Sequence, residues 1–179
     1  MTTHIALLHS IGLGGGRRLA MADLRRMAEA LGLKNPRTLI ATGNLLFETS
    51  ATKAARLEAK LEAAFAETFG RHVDIVVRSG AEWRRLVAAN PFLRESARDG
   101  SRVMVRVSRE PLEAKLAAAL AQRSFDGERV EVVEGDLWVY FPIEPVRSKL
   151  IGALTTKKLG VGTLRNWNTA RRIGEMIAE

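Results

Sequence analysis

The sequence predicts an α+β protein in which one six-element plan is run twice, and three observations carry that prediction. Apolar runs of strand length alternate with amphipathic stretches of helical spacing, in the order strand, helix, strand, strand, helix, strand, over residues 1–80. The same order, up to its last element, returns over residues 81–179. Glycine and proline punctuate the joins, and no low-complexity linker separates the halves.

Residues 4–10 read as the first strand. Residues 20–33 read as a helix whose Met21, Leu24, Ala28 and Leu31 share one face, with Gly32 and Pro36 as stop signals. Residues 38–41 and 45–47 make a hairpin across Thr42-Gly43-Asn44. Residues 52–69 form a longer helix. Leu57, Leu61, Ala64, Phe65 and Phe69 are its buried stripe, Arg56, Glu58, Lys60 and Glu62 its solvated surface, and Gly70 its end. Residues 73–77 are the fourth strand. This order is the ferredoxin-like unit, an antiparallel sheet with both helices on one face.

The second half opens with a helix over residues 81–89. It stops at Asn90, because the residue before a proline is pushed out of the helical region. Residues 94–100 read as a polar loop. Val103, Val105 and Val107 alternate with Met104 and Arg106, which gives a strand with one wet face or edge. Residues 111–122 form a helix with Leu112, Leu116 and Leu120 in register and Ser108 as its cap. Residues 130–133 and 137–141 are strands joined across Glu134-Gly135-Asp136, and residues 147–159 a helix that ends at Gly160. Where a final strand belongs, the chain reads Gly162-Thr163-Leu164 and then a helix over 165–178. The expectation is two ferredoxin-like subdomains packed together. The first, βαββαβ, covers residues 1–80; the second, a variant βαββα with connecting and C-terminal helices, covers 81–179.

A chain of 179 residues is long enough to bury a sizeable core. No apolar run approaches the roughly 20 residues of a membrane span, and no signal-peptide pattern opens the sequence, so a cytoplasmic location and no membrane partner are expected. With no cysteine, disulfides, thiolate metal ligands and a cysteine nucleophile are excluded. The net charge is +8, spread as 13 basic against 8 acidic residues up to Asn90 and 15 against 12 beyond it. From Val146 to Gly174 there are seven basic residues and no acidic one. Such a field attracts polyanions; an arginine- and alanine-rich composition from codon bias is the plain alternative.

The most informative stretch is Ile11-Gly12-Leu13-Gly14-Gly15-Gly16-Arg17-Arg18. Gly12, Gly14, Gly15 and Gly16 offer backbone amides with no Cβ in the way, and Arg17 and Arg18 bring charge at a strand-to-helix crossover. Two readings stand, an anion site and a bare crossover loop. Arg165-Asn166-Trp167-Asn168-Thr169 also has two readings. Arg165 suits a phosphate or carboxylate, Asn166 and Asn168 suit amide-like groups, and Trp167 suits a base; alternatively the motif is a capped helix start. Thr42 and Asn44 either make a tight turn or donate to the same anion as the glycines.

Catalytic patterns are sparse. His4, His9 and His72 are the only histidines, and His9, at the mouth of the glycine-rich stretch, is the sole acid–base candidate. No histidine pair has zinc-helix spacing and no calcium loop is present, so no metal or cofactor is expected. The glycines match neither a P-loop nor a dinucleotide fingerprint, and no nucleophile elbow occurs.

Four stretches together resemble one family, the bacterial domain-of-unknown-function family numbered 1697. They are Ala6-Leu7-Leu8 leading into Ile11-Gly12-Leu13-Gly14-Gly15; Thr42-Gly43-Asn44 with Phe47; Asn90-Pro91-Phe92; and Gly162-Thr163 leading into Arg165-Asn166-Trp167-Asn168-Thr169. The resemblance implies a cytoplasmic protein of two ferredoxin-like subdomains and carries no activity with it. This chain departs from the family where Arg-Gly-Ile-Asn usually precedes the paired glycines; here His9-Ser10-Ile11-Gly12-Leu13 stands instead, and Thr42 replaces a serine.

The functional expectation is a protein that binds a phosphate-bearing or other anionic ligand, nucleic acid or a phosphorylated small molecule. An enzyme acting on a small anionic metabolite and a protein–protein assembly module are the alternatives. Whether it is an enzyme, and its oligomeric state, are left open by the sequence.

Overall fold

A computed structural model describes residues 1–9, 19–40 and 43–178. It divides into two compact units, Met1–Arg84 with Met176–Glu179, and Arg85–Glu175. Each unit is α+β and carries its own four-stranded antiparallel sheet.

The first unit comprises β1 (Thr2–Leu8), α1 (Met21–Ala30), β2 (Lys34–Leu39), β3 (Asn44–Thr49), α2 (Ala54–Phe69) and β4 (Ile75–Ser79), with strand order β2-β3-β1-β4. Alternation along β1 sends Ala6 and Leu8 to one face, where they meet Leu24, Met27 and Ala28 of α1 and Leu57, Leu61 and Phe65 of α2 in one core. Both helices therefore lie on the same face. Burying a side chain such as Phe65 contributes on the order of 2 kcal/mol. Gly70, at φ +72°, ends α2 in the left-handed conformation, and its amide donates to Ala66 O at 2.9 Å. Pro36 sits in β2, which is an edge strand, as a residue without a ladder donor requires.

The other edge, β4, pairs with β1 alone among the described residues. Three alternate amides along it end on carboxylates instead of on a further strand. Ile75 N–H donates to Glu62 at 3.0 Å, Val77 N–H to Glu58 at 3.0 Å, and Ser79 N–H to Glu82 at 2.7 Å. This corrects the assignment of Glu58 to the solvated surface of α2: it is 4% exposed. Periodicity alone gave no sign of it, since a glutamate at a lateral helix position is normally wet.

The helix α3 (Gly80–Ala88) leads to the short α4 (Leu93–Arg98), where a loop was expected. Asn90 joins them: its Oδ1 accepts Phe92 N–H and its Nδ2 donates to Ser96 Oγ, both at 2.8 Å and buried. The second unit continues with β5 (Val103–Ser108), α5 (Lys115–Ala121), β6 (Arg129–Val133), β7 (Asp136–Tyr140), α6 (Ile151–Leu154), β8 (Gly162–Asn166) and α7 (Trp167–Ala178), in strand order β6-β7-β5-β8. Leu120 of α5 and Ala153 and Leu154 of α6 share a core with Val130, Leu137 and Val139.

The second unit corrects three expectations. Its sheet is closed by a true fourth strand: β8 pairs antiparallel with β5, with Arg165 opposite Val105, so the helix begins at Trp167 and not at Arg165. The expected helix over 147–159 is only the single turn α6 between 3₁₀ turns Pro145–Arg147 and Lys157–Leu159. The helix expected from residue 111 starts at Lys115, and ahead of it Leu112 N–H donates to Gly135 O at 2.9 Å. Among the described residues no helix is long and apolar enough to cross a membrane.

Candidate functional site

In the first unit, the described residues at one end of the sheet are His9, Gly43, Asn44 and Asp74. Leu8 N–H donates to Gly43 O and His9 N–H to Asp74 O, each at 2.9 Å, which ties the end of β1 to both neighbouring strands. Asn44 is buried, and its Nδ2 closes the base of the hairpin on Leu39 O at 3.0 Å. His9 is half-buried, and its Nδ1 is buried with no hydrogen-bond partner among the described residues. Such an orphan is uncommon, because a buried ring nitrogen without a partner costs on the order of 1–3 kcal/mol. The chain runs from His9 into the glycine-rich stretch. Gly12, Gly14, Gly15, Gly16, Arg17, Arg18 and Thr42 lie outside the described residues.

Beside this end stands a cluster that spacing rules miss. Glu62, His72 and Asp74 each present a metal-ligating atom, and these atoms lie within 4.8 Å of one another. His72 Nε2 is 2.8 Å from Asp74 Oδ1. The residues come from α2 and from the connection to β4, so no sequence motif links them.

In the second unit, the Arg165 motif is divided among several tasks. Arg165 is 7% exposed and donates to Thr163 Oγ1 at 2.7 Å and Leu164 O at 2.8 Å. Burial lowers its guanidinium to about 10, still above neutral pH. Asn166 Oδ1 accepts Thr169 N–H at 3.0 Å and so caps α7. Trp167 is half-buried, with its ring 6.2 Å from that of Trp138. Asn168 is exposed; its amide lies against Gly100, where a Cβ would collide with it.

The aromatic strand β7 offers no open stacking face. Trp138 is 1% exposed, and the Arg129 guanidinium lies 5.0 Å from the Tyr140 ring centroid and 5.2 Å from that of Phe92. Arg129 also pairs with Glu95.

Two further charged groups are committed to the fold. Arg106, expected on a wet face, is 2% exposed. Its Nε donates to Leu154 O at 2.9 Å, and its two terminal nitrogens donate to Ser108 Oγ and Gly160 O, each at 2.7 Å. Ser108 in turn gives its amide to Asp136 at 2.9 Å rather than capping a helix. Glu128 accepts from Ser124 Oγ at 2.6 Å, from the amides of Phe125 and Asp126, and from Ser148 Oγ. Burial alone raises this carboxyl, but the hydrogen bonds from Ser124, Ser148 and Asp126 prevail and hold it down at about 2.

Comparison with known proteins adds a family and a fold. The chain is similar to a solved structure described as conserved bacterial protein SP0830 from Streptococcus pneumoniae, at 25% identity over 98% of each chain with a TM-score of 0.75. No curated protein matches it. The family model described as "Protein of unknown function (DUF1697)" matches residues 1–138, which takes in the glycine-rich stretch, the hairpin turn and Asn90-Pro91-Phe92, while Gly162–Thr169 lies beyond it. On that match, over well more than half its length, the chain belongs to the DUF1697 family.

Proposed function

We propose that this protein binds a phosphate-bearing or otherwise anionic ligand at the end of the first sheet, with nucleic acid as the leading example. In this reading Gly12, Gly14, Gly15 and Gly16 supply amides, Arg17 and Arg18 supply charge, and Thr42 and Asn44 flank them. The observation that carries it is His9: a buried imidazole nitrogen, without a partner among the described residues, at the strand end that opens into a glycine- and arginine-rich stretch. A net charge of +8 points to the same sign of partner. Each unit is read as ferredoxin-like, supported by its strand order and by helices gathered on one sheet face. In the second unit the exposed Asn168 and half-buried Trp167 are the secondary contact, whereas Arg165 and Asn166 act mainly through the fold.

The test is fluorescence anisotropy with a labelled single-stranded oligonucleotide over a salt series. Affinity is expected to fall steeply with salt, and Arg17→Ala with Arg18→Ala to weaken binding and lower the log–log slope by about two. No binding at low salt, or binding unchanged by the double substitution, overturns nucleic acid as the ligand. His9 also favours a second reading, an enzyme acting on a small anionic metabolite with His9 as acid–base group. That reading requires a phosphorylated or carboxylated compound that raises the melting temperature at fixed salt, with turnover lost in His9→Gln.

A further inference from the structure

We infer that Glu62, His72 and Asp74 form a binding site for a first-row divalent transition ion of the Zn²⁺ class. The inference rests on three-dimensional convergence. The ligand atoms lie within 4.8 Å of one another, although they come from a helix and from the connection that follows it. Zinc bonds of about 2.0–2.2 Å in tetrahedral geometry put neighbouring ligand atoms on the order of 3.3 Å apart, so only a modest closure is needed. His72 Nε2 and Asp74 Oδ1, hydrogen-bonded at 2.8 Å, would exchange that bond for one metal bond each.

Two features prepare the site. Glu62 is oriented by the Ile75 amide, which donates to its Oε1 at 3.0 Å, the outer-shell bond that ligating carboxylates commonly carry. His72 and Asp74 lie two residues apart in the connection between Gly70 and β4, and both are substantially exposed, so they can close on an ion without unpacking the core. One imidazole and two carboxylates make an N,O,O donor set. The imidazole favours Zn²⁺ and its late first-row neighbours over Mn²⁺, Mg²⁺ and Ca²⁺, and three protein ligands leave coordination positions for water or an incoming anion. Asp74 also accepts His9 N–H through its backbone, so the ion would sit at the sheet end already described. The site nevertheless stands without the anion reading, because it is tested with metal alone.

The experiment is calorimetric titration of ZnCl₂ into the untagged, chelator-stripped full chain, with Co²⁺ absorption as a second readout. One ion per chain is expected, with a visible Co²⁺ band that His72→Ala abolishes. His72→Ala and Asp74→Asn should each weaken Zn²⁺ by about tenfold or more while circular dichroism stays unchanged. The variant Glu113→Gln, at an exposed position of the second unit, should bind like the parent. Absence of Zn²⁺ heat together with absence of a Co²⁺ band overturns the site. So does parental affinity in both His72→Ala and Asp74→Asn, or an equal loss of binding in Glu113→Gln.

Discussion

Glu58 Oε1 accepts the Val77 amide at 3.0 Å, and both residues are buried. The bond joins α2 to the outer row of β4, with Glu62 and Ile75 repeating it one helical turn further on. A sheet edge is normally blunted by exposed charge or covered by a loop. Here carboxylates of a packed helix take the amides directly.

Glu58→Ala is therefore expected to leave a buried amide without its acceptor and to cost about 1–3 kcal/mol. Glu67→Ala, at an exposed position of the same helix, should change stability by no more than about 0.5 kcal/mol. Urea unfolding of the two variants gives the comparison; equal midpoints would remove the role assigned to Glu58.

Stability should depend on the charge of Glu128. Its folded pKa, about 2, lies below the ordinary 4.5, so ionisation favours the folded state. That contribution is whole above the unfolded value and is lost as pH falls from 4.5 through about 2. Glu128→Gln should be clearly destabilised at neutral pH, and its deficit should narrow at about pH 3. Urea midpoints at both conditions test this; a pH-independent deficit contradicts it.

Gly162 lies under the Arg106 guanidinium, and a Cβ there would overlap it. A guanidinium usually swings aside at little cost, but this one is held by Leu154 O, Ser108 Oγ and Gly160 O. Gly162→Ala is expected to cost about 1–3 kcal/mol, measured by chemical denaturation. In a double-mutant cycle with Arg106→Met the penalty should shrink, because the obstructing group is gone.

Asn166 caps α7 through its side-chain oxygen. Asn166→Ala should cost about 1 kcal/mol, whereas Asn166→Asp should retain most of the stability. If Asn166→Asp keeps the melting temperature yet abolishes oligonucleotide binding, the residue contacts ligand as well as capping.

Much of the fold was legible because it is written in local periodicity. Leu24 and Ala28 of α1, and Leu57, Leu61 and Phe65 of α2, repeat at helical spacing and are buried as that spacing requires. What was missed depends on partners distant in sequence. The strand β8 reads as polar because its buried residues, Thr163 and Arg165, are themselves polar, and its pairing is supplied by β5. Ahead of α5 the chain is tied by a bond from Leu112 to Gly135, two positions no local rule connects. The candidate site divides in the same way. His9 stood out by its place before the glycines, but the Glu62, His72 and Asp74 cluster exists only once α2 has been laid beside β4.

The Arg106 node bears on the order of events as the second unit forms. Residues 147–160 contain little regular helix, and the acceptors at Leu154 and Gly160 lie 48 and 54 positions from the arginine. Contacts that far apart in sequence carry the loop-closure cost of the intervening chain, so this stretch is expected to acquire its shape late. It should exchange its amide hydrogens sooner than the central strands do.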